Sequence, residues 1–176
     1  GHLYLSGMPA SGNIGLLDLV LALEWVRDSI GAFGGDPGNV TVFGQSGGGA
    51  KIATLMAMPA AKGLFHRAIT MSGQQVTASG PHAATARTQA FLAALKARPE
   101  ELPRLPIDKL VAAMETPDPT HSGSLYFGPV FDGETLPRHP FYPDAPPQSA
   151  SIPMIIGNTH DETRGFFRGN TRIHSL

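Results

Sequence analysis

From Leu16 to Phe33 the chain reads LLDLVLALEWVRDSIGAF, apolar at almost every helical position and polar chiefly at Asp18, Glu24, Arg27 and Asp28. That spacing predicts a helix, and a helix apolar nearly all round is normally enclosed in a larger body. Gly34-Gly35 ends it, because glycine takes a left-handed cap without a Cβ clash. Asp36-Pro37-Gly38-Asn39 is a turn with proline pre-setting φ. Val40-Thr41-Val42-Phe43 then reads as a short strand, apolar on both faces as a central parallel strand should be. Gly47–Met58 is a helix of small residues stopped by Pro59. Arg67–Met71 is a second strand closed by Ser72-Gly73, and His82–Lys96 and Ile107–Met114 are two further helices. Prolines punctuate 116–147 into loops, and Pro153–Gly157 is a third strand. The opening Gly1–Asn13 is loop, with a stub of strand at His2–Leu5.

Strand, helix, strand, helical excursion, strand is the grammar of an α/β protein with a parallel sheet. Three strands are few for a sheet covered on both faces. With 176 residues, the chain holds one domain at most. No internal repeat or low-complexity tract appears. Thirteen basic and 14 acidic side chains leave a net charge of −1, and charged residues make up only 15%. Nucleic-acid binding needs clustered Lys and Arg, which are absent. Asp18, Glu24 and Arg27 interrupt the best apolar run, so no membrane span is expected. Zero cysteines exclude disulfides, thiolate metal sites and cysteine catalysis within this stretch, and leave the compartment open. No targeting segment is visible.

The chemistry lies at Gly44-Gln45-Ser46-Gly47-Gly48, a G-x-S-x-G pattern placed between a predicted strand and a predicted helix. The bare pattern is weak; that position is what gives it meaning. A turn so sharp needs glycine on both flanks, since side chains there would collide with strand and helix. Ser46 is pushed into the open at a helix N-terminus, and the Gly47 amide can donate to a developing oxyanion. A dinucleotide fingerprint would require G-x-G-x-x-G, which is missing. Nucleophile, acid and histidine follow in that order in such proteins. The acid must then lie in a loop at the carboxyl end of a later strand. Asp161 and Glu162 both qualify, Glu162 five residues past Gly157.

Residues 12–51, GNIGLLDLVLALEWVRDSIGAFGGDPGNVTVFGQSGGGAK, resemble the type-B carboxylesterase family of α/β-hydrolases. The resemblance continues through KGLFHRAITMSG (62–73), GPVFDGETLPRHPF (128–141) and PMIIGNTHDETRGFF (153–167). It implies a partial α/β-hydrolase over residues 1–176, with crossover helices and a helical excursion before the acid-bearing strand. It implies that Ser46 is the acyl-accepting nucleophile, Glu162 the acid and Gly47 one oxyanion amide. Ser72 matches a serine one layer behind the catalytic groups. Gln45 departs from the glutamate that many relatives carry there. Without that anion a cationic ester is less attracted, so neutral small-molecule esters are favoured. No metal or cofactor is called for.

The histidine is the gap. His66, His82, His121 and His139 precede the acid, His160 lies in its own segment, and His174 follows Glu162 by only twelve residues. A parallel crossover needs a dozen or more residues before the next strand, so His174 reads as a loop residue and the others as packing or surface histidines. An HGGG-type oxyanion loop is also missing before Val40. These gaps, the few strands and the all-round apolar helix predict an internal portion of a longer protein, with β-edge and apolar surface left bare. The competing reading is a non-catalytic binding or adhesion module of the same fold, marked by loss of the serine or the acid; both are present.

Overall fold

The structure, a computed structural model, describes residues 2–166. Helix α1 (Ile14–Ser29) is followed by a 3-10 turn at Ile30–Phe33, and strand β1 spans Thr41–Gln45. Helix α2 is Gly47–Leu55, β2 is Arg67–Met71, α3 is Pro81–Leu95 and α4 is Ile107–Ala113. Strand β3 (Met154–Gly157) leads into a short helix α5, Glu162–Phe166. Among the described residues the strands form one parallel sheet in the order β1-β2-β3, with Thr41 opposite Arg67 and Ala68 opposite Met154. All three carboxyl ends therefore point the same way, and Ser46, Ser72 and the 158–162 segment emerge at that one end.

The predicted helix over Leu16–Phe33 begins two residues earlier and changes to a tighter coil at Ile30. Gly34 stops it as expected: at φ 82° its N–H reaches the Ile30 and Gly31 carbonyls. The helix expected to run to Met58 stops at Leu55. There the Ala57 N–H bonds the Thr54 carbonyl three residues back rather than four, so the helix unwinds before Pro59 is reached. His2–Leu5 joins no strand; Leu5 makes only an isolated bridge to Met8 across a tight turn.

The core lies between α1, α2 and the sheet, where Leu16, Ile52, Leu55, Met58, Phe65, Ala68 and Leu136 pack together. Only Leu16 and Val20 of α1 are buried. Leu21, Trp25 and Phe33 stand exposed, as does Phe43 of β1 at 72%. The Leu21 and Trp25 face of α1 thus has no cover among the described residues. An apolar groove of about 340 Å³ runs there, lined by Leu19 and Leu23 of α1, Phe43 of β1, and Ile52 and Leu55 of α2. A smaller cluster joins Phe91, Ala113 and Leu125, with Phe127 edge-on to Phe91 at 5.4 Å.

Between α4 and β3 the chain makes no regular strand or α-helix and is tied down by side chains instead. Asp118, its side chain fully buried, accepts from Arg87 Nε at 2.6 Å, the Thr120 hydroxyl at 2.7 Å and the Tyr126 N–H at 3.0 Å. Burial alone would push this carboxyl up, but the Thr120 and Tyr126 donors and Arg87 hold it far below the usual carboxylate range. Arg87 also donates to Ser79 and Thr120. Asn13, entirely buried, donates to the Val130 carbonyl and accepts the Val130 N–H, at 2.8 and 2.9 Å, and donates to Thr135 at 2.8 Å. Two buried side chains thereby fix a stretch that has no ladder of its own.

Candidate active site

β1 runs straight into α2 with a single residue between them. That residue is Ser46, at φ 52° and ψ −122°, a backbone conformation that a non-glycine residue adopts only under constraint. Its N–H donates to the Met71 carbonyl at 2.8 Å, and its own carbonyl accepts from Ala50 at 3.0 Å, the first bond of α2. The side chain is exposed, and among the described residues no histidine hydrogen-bonds its hydroxyl. Gly47 follows as the first residue of α2; its N–H, like those of Gly48 and Gly49, precedes the first intrahelical bond. Amides so placed favour negative charge.

The turn is built by close approach of main chain to main chain. A Cβ at Gly44 would lie 2.5 Å from the Gly48 carbonyl carbon, so β1 and α2 can meet only without a side chain there. At the second flank expected from the motif, Gly48, an added Cβ would meet no neighbouring atom within 4 Å. The glycine that touches is Gly49, whose Cβ would sit 3.0 Å from the Gly44 carbonyl oxygen and 3.2 Å from Gly73. Neither Gly49 nor Gly73 carried a signal in the sequence beyond a small-residue helix and a strand stop.

Gln45 closes β1 and is exposed beside Ser46. Ser72, at φ 53°, and Glu162 both line a cavity of about 350 Å³ at the ends of β2 and β3, with Gln74, Asn158, Thr159 and His160. Ser46 sits at the adjoining strand end and is not part of that lining. Glu162 opens α5 rather than standing in a loop, and its carboxylate accepts the Thr159 N–H at 3.3 Å. Asp161 points outward, 3.3 Å from His160 and 3.7 Å from Arg164, and both partners are exposed.

Four other histidines have structural partners. His66 Nδ1 accepts the Val40 N–H and His139 Nδ1 the Ala78 N–H, each at 3.2 Å. His121 lies 3.4 Å from Asp118, and His2 contacts the Gly12 carbonyl at 2.9 Å, its pKa lowered by burial. His82 is exposed on α3, and His174 lies outside the described residues. Among the described residues no three His, Asp or Glu side chains converge as metal ligands, and no helix is long and apolar enough to cross a membrane.

A parallel sheet with a strained serine between strand and helix defines a class, the α/β-hydrolases. Within it, the carboxylesterase family model matches residues 1–174, and the chain belongs to that family. It is 44% identical to the para-nitrobenzyl esterase of Bacillus subtilis (strain 168), over 99% of this chain and 37% of that protein. It is 41% identical to the phenmedipham hydrolase of Pseudarthrobacter oxydans, over 90% of this chain and 33% of that one. Among solved structures it superposes on a PNB esterase with a TM-score of 0.83 at 40% identity, covering 97% of this chain and 38% of the other. The Geobacillus stearothermophilus carboxylesterase EST55 at pH 6.2 gives 0.77 at 38% identity, covering 95% and 35%. The chain thus spans about a third of the length of the relatives it matches.

Proposed function

We propose that this chain supplies the nucleophile and the acid of a serine carboxylic-ester hydrolase. The observation that supports it best is Ser46 itself: an exposed hydroxyl, held at positive φ where a strand meets the N-terminus of a helix. Ser46 Oγ attacks the ester carbonyl while a histidine from outside residues 2–166 takes its proton. Glu162 orients that histidine and stabilises its charged form. Gly47 N–H donates to the tetrahedral oxyanion. Collapse expels the alcohol, protonated by the histidine, and leaves an acyl-Ser46 ester that water cleaves by the same steps. Ser72, between the serine and acid strands, supports the acid from behind. Gln45 leaves no carboxylate beside the nucleophile, which favours neutral esters over cationic ones.

A hybrid enzyme tests the reading, with residues 1–176 replacing the matched segment of the Bacillus subtilis para-nitrobenzyl esterase. It should cleave a neutral p-nitrophenyl ester, and Ser46→Ala should lower kcat by about 10⁶. Glu162→Gln should cost about 10⁴, the scale seen when a triad acid is removed, whereas Asp161→Asn should leave turnover in place. The 176-residue chain alone should release no p-nitrophenol above buffer hydrolysis. Turnover of the hybrid that survives Ser46→Ala would overturn the nucleophile assignment.

A further inference from the structure

Ser46 is braced by the segment that ends β2. The Met71 carbonyl accepts its N–H at 2.8 Å. Two residues on, a Cβ at Gly73 would overlap the Ser46 carbonyl oxygen, lying 2.8 Å from the carbonyl carbon and 3.0 Å from the Ala50 nitrogen. Gly73 therefore rests against the peptide group that sets the backbone of Ser46 and begins α2. On its other side the same turn holds the acid's strand: Ser72 N–H donates to the Gly157 carbonyl at 2.7 Å, where β3 gives way to the 158–162 segment. Ser72 is at φ 53°, so two non-glycine residues in left-handed backbone, Ser46 and Ser72, end adjacent strands. Such conformations persist only where their surroundings over-determine them.

We propose that Gly73 is a positioning residue for ester hydrolysis. Its missing side chain lets the Met71–Gly73 turn seat on the Ser46 peptide, and that seating fixes Ser46 Oγ relative to Glu162. The proposal rests on the reading of Ser46 as nucleophile and Glu162 as acid. The obstructing atoms belong to the main chain, so no rotamer change can make room for a methyl group at 73. Either the turn or the Ser46 peptide must shift, and a displacement on the order of 1 Å can cost about 10² in rate.

The test uses the hybrid enzyme with a neutral p-nitrophenyl ester, kcat being expressed per serine titrated by a fluorophosphonate. Gly73→Ala should lower kcat about 100-fold with KM within about twofold. Gly49→Ala, whose Cβ would press Gly73 from α2 at 3.2 Å, should act in the same direction more mildly, about tenfold, and keeps the test open if Gly73→Ala fails to fold. Gly80→Ala is the control, since a Cβ there meets nothing within 4 Å; it should match the parent. Gly73→Ala or Gly49→Ala enzyme with the control's kcat per titrated serine overturns the proposal, as does a loss that appears only in the number of titrated serines. If Ser46→Ala leaves turnover intact, or the hybrid shows no Ser46-dependent turnover, the functional reading falls and this one with it.

Discussion

The elbow at 44–49 and the loop stretch at 116–136 solve the same problem, holding irregular chain in one place, by opposite means. At the elbow, side chains are absent and main chain meets main chain: Gly44 against Gly48, Gly49 and Gly73 against each other. In the loop stretch, side chains substitute for a ladder: Asp118 gathers Arg87, Thr120 and Tyr126, and Asn13 pairs both polar groups of Val130. The first arrangement leaves no room for an added atom at Gly44, Gly49 or Gly73, and the second tolerates no lost one. Precision at Ser46 therefore comes from volume exclusion, whereas order in the excursion comes from satisfied buried polarity.

That contrast can be broken from the polar side first. Asp118→Asn leaves the Arg87 guanidinium buried without its counter-charge, so urea unfolding should show a loss of about 3 kcal/mol or more. The Asp118 carboxyl titrates lower in the folded than in the unfolded chain. Its contribution is thus complete above about pH 4 and is lost as pH falls through the lower folded-state value. In the hybrid enzyme, turnover per folded molecule should survive this change. Gly44→Ala should do the reverse. Overpacking there is expected to cost about 2 kcal/mol, with kcat falling well beyond the folded fraction measured by circular dichroism. Gly44→Ala enzyme with normal kcat, or Asp118→Asn enzyme that folds but cannot turn over, would erase the distinction. The smallest effect sharpens it at one residue: Gln45→Glu restores an anion beside Ser46 without adding volume. It should raise kcat/KM for a cationic choline-type ester over a neutral one by a few-fold, the scale of about 1 kcal/mol for charges a few ångström apart in water, and added salt should shrink the gain.

The two regions also differ in how far the sequence disclosed them. The elbow is local: strand, glycine, serine and helix follow one another within ten residues, so hydrophobic pattern and motif put Ser46 between β1 and α2 and Gly47 at the start of α2, where the structure has them. The three strands are legible for the same reason, each a short apolar run between turn residues. The helix ends at Leu55 and Ser29 were overrun, because a change from four-residue to three-residue hydrogen bonding leaves no mark on apolar spacing. Glu162 lies beyond β3, as its spacing from the third apolar run implies, yet it opens a short helix rather than standing in a loop. The buried pairs were invisible. Arg87 and Asp118 are 31 residues apart, and Asn13 and Val130 are 117 apart. Nothing in either neighbourhood marks these charged and polar side chains as interior. Gly73 escaped as well, since a glycine after a strand reads as a stop until its neighbour across the sheet is known.

The register of the sheet carries a kinetic corollary. Thr41 meets Arg67 across a span of 26 residues, 67 minus 41, whereas Ala68 meets Met154 across 86, 154 minus 68. Closing the longer span costs about 1 kcal/mol more chain entropy, and the contacts that reward it arrive late. The β1–α2–β2 unit should therefore gain protection from hydrogen exchange first and β3 afterwards, as expected for contacts ordered by sequence separation. In a folding molecule Ser46 should then be seated before the strand that leads to Glu162 docks, so that this end of the sheet is assembled in time as well as in space.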